Sequence, residues 1–311
     1  MITIHPENDT YLKSIEGDGL HPFLMAGDTL RGAILNGSRM VNQMRWNHEF
    51  GILETLVLGH AYMGACLMSV GFKGKDRLAL HVDCSGPIKG LAVEASADGN
   101  VRGFLKNVPI PVEKPLENFN LSPFFGAGFI SVTRTLDKAK KPFTGTVMIE
   151  HGSLAKDLAN YYLTSEQIPT AFDLSIKFDN QGNVAAAGGL FLQAMPDADD
   201  AIVRQIEKVV SVLPSIGADL ACGAKSRSFM EKHFGAFSPR FLDERQVEFF
   251  CGCSSKQIEH VLHMLPKEEL EDIRANGPFP VEIRCHHCNT KYAFEKDQVE
   301  TIVATKLPKG I

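Results

Sequence analysis

Cys251-Gly252-Cys253, thirty-one intervening residues, then Cys285-His286-His287-Cys288: four of the chain's seven cysteines fall into two close pairs in this stretch. Two cysteine pairs at this spacing are a strong signal for a tetrathiolate zinc site. The C-x-C pair is rarer than C-x-x-C and makes the stretch more diagnostic than a generic zinc ribbon. One Zn2+ held by Cys251, Cys253, Cys285 and Cys288 is the expected cofactor. His286 and His287 are expected at the rim of the site, because four thiolates already complete a tetrahedron. Such a site has no open position for water, which argues against hydrolytic catalysis there.

The same stretch sets the organisation of the chain's end. About fifty residues bury too little apolar surface to fold comfortably alone. A structural zinc compensates, contributing roughly 10–16 kcal/mol in comparable small sites. The module at 249–311 is therefore expected to need metal to fold. Metal-held thiolates are also the reactive form of cysteine. Oxidation within the sequence-near pairs, Cys251 with Cys253 and Cys285 with Cys288, would close very short loops and add little order. Zinc ties the two pairs together across thirty-one residues; two local disulfides do not. Oxidation is thus expected to release metal and untie the module together. From Phe250 to Ile311 eight Lys/Arg face nine Asp/Glu, a balance of about −1 before thiolates are counted, which argues against a nucleic-acid-binding ribbon.

Beyond this module the composition is that of an ordinary globular protein. The 311 residues are 44% hydrophobic and 22% charged, with a net charge of −5, so no global attraction to nucleic acid or anionic membrane is expected. The opening residues, Met1-Ile2-Thr3-Ile4-His5-Pro6, lack a basic segment followed by an apolar run, so no signal peptide is expected. The most apolar window, Ile52 to Phe72, contains Glu54, His60 and three glycines, which fits a buried core helix better than a membrane span. A cytoplasmic location with reduced thiols is the expectation, and an odd cysteine count argues against a secreted disulfide scaffold.

Upstream of the module the pattern is mixed. Gly27-Asp28 marks a turn between two strands, or a bend in one, within His21 to Asn36. Asn36 to Trp46 and Ile52 to Val70 are predicted helices. Leu78, Leu80, Val82 and Cys84 alternate with Ala79, His81 and Asp83 as in a half-buried strand. Asp98-Gly99-Asn100 reads as the turn of a hairpin between Ile88–Ala97 and Val101–Leu105. A Pro-rich loop is predicted over Asn107–Pro123. Phe129–Thr135 and Phe143–Glu150 form a further strand pair. Ser153 is placed as N-cap of a helix over Leu154–Thr164. Phe172–Phe178 and Val184–Gln193 flank a second hairpin turn. Antiparallel hairpins with helices between them predict an α+β domain rather than a βαβ array. An amphipathic helix marked by Ile202, Ile206, Val209, Val210 and Leu213 then opens a region punctuated by Pro and Gly. The expected division is an α+β core over 1–196, a helical linker over 197–248 with little core of its own, and the zinc module over 249–311.

Other motifs carry no chemistry. Ser153-Leu154-Ala155-Lys156 matches S-x-x-K without its partner motifs. Gly126-Ala127-Gly128 lacks the third glycine and the βαβ setting of a dinucleotide loop. Gly223-Ala224-Lys225-Ser226 is not a phosphate loop. Cys66, Cys84 and Cys222 are expected to be buried, inert thiols. His60 is expected to be a satisfied core histidine.

Phe249-Phe250-Cys251-Gly252-Cys253-Ser254 and Val281-Glu282-Ile283-Arg284-Cys285-His286-His287-Cys288, with Tyr292 and Phe294 after them, resemble the C-terminal switch of the heat-shock protein 33 family of redox-regulated holdase chaperones. Gly27-Asp28-Thr29-Leu30-Arg31-Gly32, Ala97 to Gly103, Ser153 to Ala159, Ser165-Glu166-Gln167-Ile168-Pro169-Thr170 and Ala187-Gly188-Gly189 are similar to its core domain. Ala127 and Lys156 depart from that pattern without touching the switch. The resemblance implies a non-enzymatic, ATP-independent chaperone, inactive when reduced and zinc-bound. In the family, oxidation forms both local disulfides, zinc is lost, and the switch and adjacent linker unfold. Unfolding client proteins are then held, and the active form tends to dimerise. Carried over, the metal ligands and redox-active cysteines are Cys251, Cys253, Cys285 and Cys288. The alternative from another class is an enzyme with a passive structural zinc module of four cysteines.

Overall fold

The computed structural model describes residues 6–112 and 118–305. The first five residues, part of the predicted 107–123 loop and the last six residues of the C-terminal module lie outside the described residues. The chain divides into two compact bodies, one ending at Phe250 and the other starting at Cys251.

The first body is built on two largely antiparallel sheets. After a short helix α1 (Pro6–Ser14), strands β1 (Gly19–Met25) and β2 (Leu30–Asn36) form a hairpin, paired from Gly19↔Asn36 to Met25↔Leu30. The turn between them holds Ala26, Gly27 and Asp28 at positive φ, so the Gly-Asp signal marks a turn rather than a bend. Helices α2 (Ser38–His48) and α3 (Ile52–Met68) follow. Strands β3 (Arg77–Cys84), β4 (Gly90–Ser96) and β5 (Asn100–Leu105) come next, then a one-turn helix α4 (Ser122–Phe125) and strands β6 (Gly128–Thr135) and β7 (Phe143–Met148). Helix α5 (Leu154–Tyr161) runs into a π-helical turn at Tyr162–Glu166, before β8 (Thr170–Phe178) and β9 (Val184–Ala194). Helices α6 (Asp200–Ser211), α7 (Ile216–Ala221) and α8 (Ser226–Phe234) and the two-residue strands β10 (Arg240–Phe241) and β11 (Glu248–Phe249) complete this body.

One sheet has the order β10-β1-β2-β9-β8 and the other β11-β5-β4-β3-β6-β7. Helix α3 packs against strands of both sheets, which is why its sequence is apolar on every side: all but its first residue and His60 are buried. Among the described residues no helix is long and apolar enough to cross a membrane.

The segment after β9 is held by the first sheet. Ile206 of α6, Ile216 of α7 and Phe229, Met230 and Phe234 of α8 join Phe23, Met25, Leu30, Ile34, Leu190 and Leu192 in one buried cluster. Glycine makes the seating of α7 possible. A Cβ at Gly188 would lie 2.5 Å from Ile216 Cγ2, and one at Gly189 would lie 2.9 Å from Leu67 Cδ1 of α3. The Ala187-Gly188-Gly189 motif is therefore a thin place in β9 where helices approach from two sides. Farther along, β10 adds to β1 in antiparallel fashion and β11 adds to β5 in parallel.

The second body consists of helices α9 (Ser255–Met264) and α10 (Lys267–Asn276), a hairpin of β12 (Val281–Arg284) and β13 (Lys291–Phe294), and helix α11 (Lys296–Thr305). Among the described residues its buried apolar centre is small: Leu262, Leu270, Phe294, Val299 and Ile302. The architecture is α+β.

Three local expectations need correction. The helical run after Ser153 covers the expected span, with a π-helical last turn through Glu166, but Ser153 sits at its N-cap without a side-chain cap bond. The buried Asp157 takes that role, accepting the backbone N–H groups of Glu150, His151 and Ser153 at 2.9–3.0 Å. Cys222 is exposed, because it caps the C-terminus of α7 beside Gly223, whereas Cys66 is buried and Cys84 half-buried. His60 Nε2 is sealed from solvent yet finds no hydrogen-bond partner among the described residues.

Candidate metal centre

The four cysteines of the two pairs lie in the C-terminal body, and their sulfurs all fall within 4.8 Å of one another. Each pair is delivered by a different local structure. Cys251 and Cys253 flank Gly252 in extended chain before α9, whose N-cap Ser254 accepts the Gln257 N–H through its side chain. Cys285 follows the last residue of β12, and Cys288 precedes the αL residue Asn289 in the turn to β13. The backbone closes this turn with Cys285 N–H donating to Thr290 O at 2.8 Å and Asn289 N–H donating to Cys285 O at 2.7 Å. Within the turn, the N–H groups of His287 and Cys288 are directed at the Cys285 sulfur, and that of Thr290 at the Cys288 sulfur.

The dimensions suit one ion. Zinc–sulfur bonds of about 2.3 Å in a tetrahedron give sulfur–sulfur edges of about 3.8 Å. Cys251 Sγ lies 3.8 Å from Cys285 Sγ, and Cys253 Sγ lies 3.4 Å from Cys288 Sγ. All four are thiols rather than disulfides. Cys251, Cys285 and Cys288 are buried and Cys253 half-buried, so the site is shielded but open to small reagents on one side.

The electrostatics call for a cation. Burial holds the Cys285 thiol above its ordinary pKa. Cys288 is raised further, first by its hydrogen bond with the Cys251 side chain and then by burial. Four thiolates this close would repel one another in a low-dielectric setting. A divalent cation reverses that preference and makes the thiolate the favoured form. The donor set is soft and complete, which fits zinc and leaves no ligand position open. Among the described residues no other group of three or more His, Cys, Asp or Glu side chains converges in this way, and neither His286 nor His287 belongs to the cluster.

One contact escaped the sequence reading. Tyr292 on β13 donates its hydroxyl to Cys253 Sγ at 3.1 Å, and burial together with that bond raises the phenol's pKa. Cys288 Sγ lies 3.2 Å from Thr290 Oγ1. Spacing rules find ligands but give no signal for such outer contacts.

The chain has clear relatives. The family model described as Hsp33 protein matches residues 18–295. A protein named 33 kDa chaperonin from Agathobacter rectalis is 32% identical over 279 residues, covering 88% of this chain and 96% of its own length. Its namesake from Geobacter sulfurreducens is 34% identical over 246 residues, covering 79% of this chain and 81% of its own. The crystal structure of the 33 kDa chaperonin (heat shock protein 33 homolog) from Thermotoga maritima superposes with a TM-score of 0.84 at 31% identity, covering 94% of this chain and 99% of that one. With a family match running from the first strand through the hairpin that carries Cys285 and Cys288, and relatives of this similarity along nearly their whole length, the chain belongs to the Hsp33 family.

Proposed function

We propose that this chain is a redox-regulated, ATP-independent holdase: a chaperone and not an enzyme, cytoplasmic, with unfolding proteins as its partners and without nucleic-acid or membrane partners. The observation that carries the reading is the convergence of four sulfurs, from two pairs thirty-one residues apart, on a site the size of one metal ion. The family supports the chaperone activity, and the site's chemistry supports the redox control.

In this reading Cys251, Cys253, Cys285 and Cys288 hold one Zn2+ in the reduced, inactive protein. When bound, zinc keeps the four sulfurs as thiolates and supplies most of the binding energy of a body whose buried centre is five side chains. The chain's own residues do the rest. Peroxide or hypochlorous acid oxidises the thiolates, and disulfides form within each near pair, Cys251 with Cys253 and Cys285 with Cys288. Neither disulfide spans residues 254–284, so the long-range tie is lost. The module at 249–311 unfolds, and the linker at 197–248 follows, since β11 ends at Phe249 with a single residue between it and Cys251. Departure of α6, α7 and α8 from the core at 1–196 uncovers Phe23, Met25, Ile34, Leu190 and Leu192 as a surface for clients. The oxidised form is a homodimer.

Suppression of light scattering from a thermally unfolding client is the test. The protein oxidised by peroxide at mild heat is expected to suppress it and the reduced, zinc-loaded protein is not. Equal suppression by both forms, or none by the oxidised form, refutes the switch. Turnover of a small substrate by the reduced protein would favour an enzyme carrying a passive zinc module.

A further inference from the structure

We propose that the first body carries a binding site for a medium-chain fatty acid, with the carboxylate held by Arg31 and the chain lying under helix α6. Arg31 on β2 stands opposite Gln193 on β9, and Gln193 stands opposite Thr170 on β8, so the three form one row across adjacent strands. Gln193 is buried, with 1% of its surface exposed. Its Oε1 accepts from Arg31 Nε at 2.8 Å and from Arg31 Nη2, and its Nε2 donates to Thr170 Oγ1 at 3.0 Å. The Thr170 hydroxyl donates in turn to Ile168 O at 3.0 Å. This chain of bonds fixes the guanidinium from behind.

A guanidinium carries five N–H groups, and those not used by Gln193 lie on Nη1 and Nη2. That edge grips a carboxylate with two parallel bonds. Among the described residues Arg31 has no carboxylate partner; Glu166, in the π-helical turn before β8, pairs with Arg134 at 3.0 Å instead. Arg31 lines a cavity of about 490 Å³ with Gln167, Ile168 and Met195. A second cavity of about 220 Å³ lies between α6 and the ends of β2, β8 and β9, against Leu30, Ala171, Leu192, Ile206 and Val210. Pro169, Gln193, Ala194 and Val203 belong to the walls of both, so the two make one trough.

The trough has one cation among its lining residues, Arg31 at one end, and mostly aliphatic walls at the other. Its two acids, Asp200 and Glu207, are exposed residues of α6, and neither pairs with Arg31. An apolar cavity of about 150 Å³ takes up benzene, so the apolar end holds about seven or eight carbons of a chain. A single carboxylate with a flexible apolar tail matches both ends; a neutral or cationic head would leave the oriented guanidinium unanswered. Such a ligand touches α6 through Val203, Ile206 and Val210 and the strands through Leu30, Ala171 and Leu192. Bound there, it holds α6 to the first sheet and stabilises that arrangement by mass action. The site lies wholly in the first body and does not rest on the redox reading.

The test titrates decanoate, below its micelle concentration, into the reduced full-length parent, Arg31→Gln and Val210→Trp by calorimetry, with decanol and acetate as comparison ligands. One decanoate is expected to bind the parent, and decanol and acetate at least about ten-fold more weakly. Arg31→Gln is expected to keep the parent's far-UV circular dichroism and to lose about ten-fold or more in decanoate affinity. Val210→Trp, which fills the apolar end, is expected to lose binding as well; should that variant unfold, Arg31→Gln decides alone. Hydrogen exchange of α6 is expected to slow when decanoate is added to the parent and not when it is added to Arg31→Gln. Absence of binding to the parent overturns the proposal. So does decanol binding as tightly as decanoate, or decanoate uptake at several sites that Arg31→Gln leaves unchanged.

Discussion

Cys285 stands at the junction of strand and turn, where its sulfur faces Cys251 at 3.8 Å and receives two backbone N–H groups. Replacing it by serine removes one of four donors and leaves those N–H groups a harder, uncharged acceptor. Cys285→Ser is expected to lose most of its zinc and to suppress client aggregation without oxidant, both checked on the reduced protein. A fully zinc-loaded variant would contradict the ligand assignment. A different residue contributes on the acid side. Desolvation of the half-buried His60, whose sealed Nε2 has no hydrogen-bond partner among the described residues, lowers its pKa from 6.5 to about 4. At this group the unfolded chain then binds one more proton than the folded one between those values, so its contribution to stability falls as pH drops through that window, while the buried Asp18 carboxyl, raised to about 7, works in the opposite direction. The loss reaches about 3 kcal/mol by the lower end. Urea denaturation of parent and His60→Leu at pH 7 and pH 5 checks this: the stability of the parent relative to the variant is expected to fall between pH 7 and pH 5.

Helix α5 shows how an element can be right in outline and wrong in its chemistry. Ser153 occupies the N-cap position, yet the bonds come from Asp157, one turn inside, which gathers three N–H groups of the preceding loop. Asp157→Ala is expected to cost about 2 kcal/mol, because it removes a buried carboxylate that accepts from three N–H groups, and Ser153→Ala less than about 0.5 kcal/mol; thermal unfolding of the two separates them. The elements that sequence made legible were those set by local chemistry. Gly27-Asp28 marked a turn or a bend and residues 98–100 announced their hairpin, strict alternation announced β3, and thiol spacing announced the cysteine cluster. What stayed hidden depended on partners far along the chain. The two-residue strands β10 and β11 exist only because β1 and β5 offer them edges. The glycine pair in β9 means nothing until α7 and α3 lie against it. Tyr292 reaches a sulfur thirty-nine residues away, which no local pattern encodes. Gly188→Ala pushes a methyl against Ile216 and is expected to lower hydrogen-exchange protection of α7 while leaving β3–β7 unchanged.

At the scale of the molecule the two bodies differ in what holds them. The body ending at Phe250 has two multi-stranded sheets and a central helix buried against both. The body starting at Cys251 has a centre of five side chains and four gathered sulfurs. Removal of metal from the reduced protein with a strong chelator is accordingly expected to abolish exchange protection from Cys251 onward and to leave strands β1–β9 of the first body protected. The most direct measurement of the switch follows zinc release and far-UV circular dichroism together while peroxide is added to the reduced, zinc-loaded protein. One equivalent of zinc released in step with a loss of helical signal is the result expected of a tie that oxidation cuts. Full oxidation of the four thiols with zinc retained and the spectrum unchanged would contradict it.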